Sequence, residues 1–118
     1  MADEKVYSVY IVTNRARGVL YVGVTSNLQN RSTLHREGTL PGFTEKYRLK
    51  RLVWYRTYGD PRDAIDFEKR LKRWRRQWKF ELVEEANPDW ADLWPELMGL
   101  DDVGPLSHLQ GRVTRGPG

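Results

Sequence analysis

Five side chains have types that could do chemistry at a phosphate: Tyr10, Tyr21, Arg31, His35 and Glu68. A guanidinium is a planar fork that can grip phosphate with two hydrogen bonds. A carboxylate offers the oxygen that a hard cation prefers. Tyrosine and histidine can orient or move a proton. Their order is regular. Ten residues separate Tyr10 from Tyr21, Arg31 lies ten positions further on, and His35 follows four later. Taken singly, each has a plainer reading. The tyrosines suit half-buried strand positions, Arg31 and His35 suit an ordinary helix surface, and Glu68 can pair with Lys72 at i+4.

The elements that must position them come from local patterning. Lys5 to Thr13 (KVYSVYIVT) and Val19 to Val24 (VLYVGV) are rich in β-branched and aromatic residues, as strands are. The polar run Asn14–Gly18 between them predicts an antiparallel hairpin, which makes Tyr10 and Tyr21 neighbours. Thr25, Ser26 and Asn27 offer N-caps for a helix from Leu28 to about Glu37, stopped by Gly38. Arg31 and His35 are i and i+4 there and share a face. Thr39 to Arg48 is expected to be a loop, and Arg51 to Tyr58 (RLVWYRTY) a third strand. Asp60 and Pro61 open a second helix. Ala64, Phe67, Leu71, Trp74 and Trp78 step along one face of it, placing both tryptophans in the core and Glu68 at the margin of the apolar stripe. The helical pattern extends, with a break, to about Ala86, where Asn87 and Pro88 end it. Asp89 to Leu97 is expected to be a last short helix split by Pro95, whose Trp90 and Trp94, at i and i+4, clamp it to the core. Trp54, Tyr55 and Tyr58 are expected to pack on the sheet. The fold class is α+β: a three-stranded antiparallel sheet flanked by helices, in the order β-β-α-β-α-α. Residues 1–97 form the domain, and residues 98–118, with an idle His108, a flexible tail.

Composition narrows the chemistry. The chain has 118 residues and no cysteine, so disulfides, thiolate metal sites and a cysteine nucleophile are excluded. Two histidines 73 positions apart make no zinc cluster, and a metal must be held by oxygen, which favours Mg2+ or Mn2+. No run approaches 18 apolar residues, so no membrane span is expected. The N-terminus, MADEKVY, lacks a signal-peptide apolar run, so the expected location is cytoplasmic. Charge is segregated. Glu45 to Lys79 holds 13 Lys/Arg against five Asp/Glu, whereas Asp89 to Asp102 holds five acids and no base. This is the footprint of a nucleic-acid binder, with Lys69, Arg70, Lys72, Arg73, Arg75 and Arg76 as candidate phosphate contacts; its plain reading is a solvated helix face.

The two strand triplets Ser8-Val9-Tyr10 and Tyr21-Val22-Gly23, the run YVGVTSNLQNRSTLH that follows, FTEKYRLKRLVWY, FEKRLKRWRR and the closing NPDW together resemble the GIY-YIG nuclease superfamily, and within it the small single-domain bacterial members. The resemblance spans Val6 to Trp94. It implies a divalent-metal-dependent endonuclease acting on DNA, or secondarily RNA. Tyr10 and Tyr21 match the motif tyrosines, one of which helps to activate water or to position the scissile phosphate. Arg31 matches the phosphate-contacting arginine, His35 a site position often held by tyrosine or histidine, and Glu68 the glutamate that binds the single metal ion. Asn87 matches a further family asparagine. Ser8 departs from the motif's first glycine, a small-for-small change. The alternative function is a nucleic-acid-binding module that keeps the fold without cutting. A protein partner for the aromatic C-terminal segment is a third reading.

Overall fold

The computed structural model describes residues 6–100. Lys5, expected in the first strand, and residues 101–118 of the expected tail lie outside the described residues. Three strands form one antiparallel sheet: β1 (Tyr7–Thr13), β2 (Leu20–Thr25) and β3 (Arg51–Tyr58), in the order β2-β1-β3. The central strand β1 is buried on both faces, which is why YSVYIVT shows no alternation of polar and apolar residues. On one face Val9, Ile11, Val22, Val53 and Trp54 pack against helices α3 (Pro61–Arg73) and α4 (Arg76–Ala86). On the other, Tyr10, Val12, Leu49 and Leu52 meet Leu28 of helix α1 (Leu28–Glu37). A bulge sets Ile11 opposite Trp54 but Val12 opposite Leu52, so that Val53 and Trp54 both serve the α3 face. None of the helices among the described residues is long and apolar enough to cross a membrane.

Local signals set the helix ends. The Asn27 side chain accepts from the Asn30 amide, and Gly38 closes α1 in the left-handed conformation. The Asp60 side chain caps α3, with Pro61 in its first turn. The expected loop 39–48 contains a four-residue helix, α2 (Phe43–Lys46), with no side-chain cap at its start.

Two expectations for the tryptophans fail. Trp78 is 48 % exposed instead of buried. The chain leaves helical geometry at Trp74 and Arg75, both extended, so α4 starts in a new phase and Trp78 falls off the stripe that buries Phe67 and Leu71. Trp90 and Trp94 do not share a helix face, because only α5 (Trp94–Leu97) is helical and Trp90 has φ 55°. Pro95 lies in the first turn of α5 and so does not split it. Trp90 is buried in the α3/α4 core, edge-on to Phe80, and its Nε1–H donates to Glu84. Trp94 donates to Thr33 of α1, on the opposite layer. Residues 87–97 therefore form a strap around the β3 edge, fixed by the Leu93 amide on the Leu52 carbonyl and by Asp92 accepting the Leu52 amide.

Candidate active site

The hairpin register sets Tyr10 directly opposite Gly23, and Val12 opposite Tyr21. Both tyrosines therefore project from the α1 face of the sheet, as the alternation of strand side chains requires. Tyr10 lays its ring across β2. A Cβ at Gly23 would stand 2.5 Å from both Cζ and Oη of Tyr10, so the glycine is the floor on which the ring lies. From above, α1 brings down Arg31 and His35 one turn apart, as their spacing predicts. The Tyr10 hydroxyl and His35 Nε2 are 3.0 Å apart and buried. The rings of Tyr10, Tyr21 and His35 stand 5.5 to 6.4 Å apart, centre to centre. Tyr10, Tyr21, Arg31 and His35 line one cleft of about 240 Å³, completed by Leu40, Pro41, Phe43 and Thr44. Those last four come from the α1–β3 connection, which the sequence marks only as a loop. Ser8 is buried in β1, with no left-handed backbone that would call for glycine.

The electrostatics of this cluster follow from burial. The Tyr10 phenol is pushed up to about 12, first by desolvation and then by Tyr21, with the charge of Glu68 adding to the rise and the Arg31 guanidinium opposing it. His35 is pushed down to about 4 by burial and by Arg31, so its ring is neutral near pH 7. Its Nδ1 is buried without a hydrogen-bond partner among the described residues. An orphaned lone pair costs less than an orphaned N–H, so the proton belongs on Nε2, donating to the Tyr10 oxygen. The phenol's own proton is then free to point into the cleft.

Glu68 approaches from α3. It is buried, 7 % exposed, but it is not among the residues that line the cleft, and its charge is the least of the influences on the Tyr10 phenol. Lys72, one turn on, holds its Oε2 at 2.7 Å, the plain pairing that the spacing allows. Among the described residues no three His, Cys, Asp or Glu side chains gather into a metal-ligand group. A carboxylate oxygen is the donor type that a hard divalent cation takes, and Glu68 alone would leave most of such an ion's coordination to other ligands. Lys72 is half exposed.

The remaining sequence candidates lie elsewhere. Asn87 is buried at the C-terminal cap of α4, where its amide donates to the Val53 and Ala91 carbonyls and its oxygen accepts the Ala91 amide. Every polar atom of that side chain serves the strap, and none is left for the cleft. Of the six cations expected to contact phosphate, three are engaged within the fold. Arg70 pairs with Asp66, Lys72 with Glu68, and Arg76 donates to the Arg17 and Gly18 carbonyls of the β1–β2 turn. Arg75 lies over the Trp78 ring. Lys69 and Arg73 project outward with no ion pair among the described residues.

Comparison with known proteins shows the family. The family profile described as the GIY-YIG catalytic domain matches residues 6–81. A UPF0213 protein of Bacillus pumilus (strain SAFR-032) is 33% identical over 82 residues, covering 70% of this chain and 84% of that protein. A UPF0213 protein of Aeromonas salmonicida (strain A449) is 31% identical over 90 residues, 75% of this chain and 65% of its own length. Another, from Staphylococcus haemolyticus (strain JCSC1435), is 31% identical over 77 residues, 65% of this chain and 93% of that protein. No solved structure matches the chain. With two tyrosine strands of the expected register, an arginine helix over them and a profile match across most of the sheet and helices, the chain belongs to the GIY-YIG family.

Proposed function

We propose that this protein is a divalent-metal-dependent endonuclease that hydrolyses phosphodiester bonds in DNA, with RNA as a second candidate substrate. One observation carries the reading: Tyr10, bonded to His35, shares a cleft with Tyr21 and Arg31. Hydrolysis joins a water oxygen to phosphorus and breaks a bond to one bridging oxygen; the water gives up a proton and the leaving oxygen takes one. Negative charge grows on the non-bridging oxygens, and preorganised cations and donors that meet it supply much of the rate. Arg31 is placed to grip the phosphate. A divalent ion on Glu68 would act as Lewis acid at the phosphate. Tyr10, with its pKa near 12, is protonated near pH 7 and suits a donor that positions water or phosphate better than it suits a resting base. His35 fixes that hydroxyl from behind.

The test is a gel assay on labelled DNA and RNA of several structures, with Mg2+, with Mn2+ and with chelator. Product is expected only with metal, and Glu68→Ala and Arg31→Ala are each expected to lower it at least about 100-fold, the scale of losing a transition-state contact. Full cutting by both purified variants would overturn the reading. A second reading, a binding module that does not cut, is favoured by the Lys72 ammonium already seated on Glu68. It calls for a salt-sensitive complex without product.

A further inference from the structure

Apart from the cleft, a second concave site of about 420 Å³ opens beside the end of β1. Four cations line it, Arg36, Arg48, Lys50 and Arg51, against one carboxylate, Asp92. Asp92 is already satisfied: it accepts the Leu52 and Trp94 amides and pairs with Arg36. Arg36 also stacks on Trp94, its guanidinium carbon 4.3 Å from the ring centre, and Arg51 donates to the Trp90 carbonyl. These two are held in place. Arg48 and Lys50 have no ion pair among the described residues, yet they are not loosely placed. Leu49 between them is fully buried in the same core layer as Tyr10, and the Lys50 amide bonds the Arg48 carbonyl. Arg48 is a non-glycine residue at φ 56°, a conformation that side chains disfavour and that marks a constrained turn. The Lys50 stem runs past Gly38 at the end of α1, where an added Cβ would stand 3.4 Å from its Cε.

The hollow thus carries four cations against one carboxylate, and two of them, Arg48 and Lys50, have no ion pair among the described residues. It adjoins the candidate active site through two elements. Arg36 follows His35 on α1, and Thr13, at the rim, is three residues along β1 from Tyr10. Three strand residues span about 10 Å, within reach of one nucleic-acid strand.

We propose that the Arg36, Arg48, Lys50 and Arg51 hollow is a second phosphate subsite, which holds a backbone phosphate of the nucleic-acid strand whose scissile phosphate lies against Arg31. It rests on the phosphodiester reading of the cleft, and it assigns backbone affinity to the α1–β3 connection rather than to α3. Contacts of this kind position the strand without reading its sequence.

The test measures binding of a minimal-length labelled oligonucleotide to the full chain, in chelator, over a range of salt. The double variant Arg48→Ala, Lys50→Ala is expected to flatten the slope of log affinity against log salt by about 0.7 on a single strand or about 0.9 on a duplex, for the one phosphate no longer neutralised. The charge-keeping pair Arg48→Lys, Lys50→Arg is expected to retain the wild-type slope. Arg62→Ala, which removes a surface charge paired with Asp60, is expected to leave it unchanged. A methylphosphonate scan then locates the contact. Neutralising one linkage away from the Arg31-dependent position is expected to weaken wild type but not the double variant. An unchanged slope in the double variant, or a scan sensitive only at the Arg31-dependent linkage, overturns the proposal. Neither readout needs cleavage, so its failure is separate from failure of Glu68→Ala to abolish product.

Discussion

Tyr10 depends on a buried residue that has no side chain of its own. Gly23 has no role in the chemistry, yet it decides whether the phenol can lie across β2 to reach His35. Gly23→Ala would force a methyl to within 2.5 Å of Cζ and Oη, and the ring is already packed on its other side. The ring must swing away, taking the hydroxyl off Nε2 and leaving a second buried nitrogen unpaired. A loss of about 2–4 kcal/mol in urea unfolding is expected from overpacking plus the broken bond. Loss of any cleavage activity is expected with it. A Gly23→Ala protein with unchanged stability would mean that the ring does not lie where it is described. The last glycine of the strand motif is thus explained by its cross-strand neighbour, whereas the first one is dispensable, since Ser8 sits in ordinary extended backbone.

At the scale of elements, what was legible in the sequence was what local chemistry dictates. Trp78→Ala is expected to cost within about 1 kcal/mol because half of the ring is already in water. Trp90→Ala is expected to cost about 3–5 kcal/mol, for a filled core and a hydrogen bond to Glu84. Denaturant midpoints of the two variants check the ranking, which inverts the one that apolar spacing alone suggests for Trp78. That spacing misled because the helix breaks at Trp74 and Arg75 without a proline or glycine to mark it. By contrast α1, β3 and the start of α3 lie where they were expected, since Asn27, Gly38, Asp60 and Pro61 act within a few residues of their own position. The pairing of the Tyr10 and Tyr21 strands and the shared face of Arg31 and His35 were legible for the same reason, since a hairpin and an i+4 step are short-range rules, whereas their place at one site was implied by the family resemblance. The basic hollow was not, because Arg36 and the run holding Arg48, Lys50 and Arg51 are two separate stretches of chain that only the fold brings together.

At the scale of the whole molecule, two buried or paired groups set the response to acid. Folded His35 takes up its proton only near pH 4, whereas an unfolded histidine does so near 6.5. Between those values the unfolded chain binds more protons. Stability is therefore full above about pH 6.5 and falls as pH drops, by about 3 kcal/mol at pH 4. Glu84, held down to about 2 chiefly by its hydrogen bond to Arg17 and also by that from Trp90, adds a second loss from 4.5 downward. Urea titrations from about pH 8 to 3.5 are expected to show the first decline in wild type and a much flatter curve in His35→Gln over the same interval. A parallel decline in both would place the titrating group elsewhere. The strap around β3 has a different consequence, one of timing during synthesis. Residues 87–97 bond to Leu52, cover Phe80 and brace Thr33, so they touch both layers of the molecule. The family profile ends at residue 81, before any of them. A ribosome that has delivered the whole matched segment has thus released a sheet with an open edge and two unsealed cores, and the domain can close only after the last turn of α5 has left the exit tunnel.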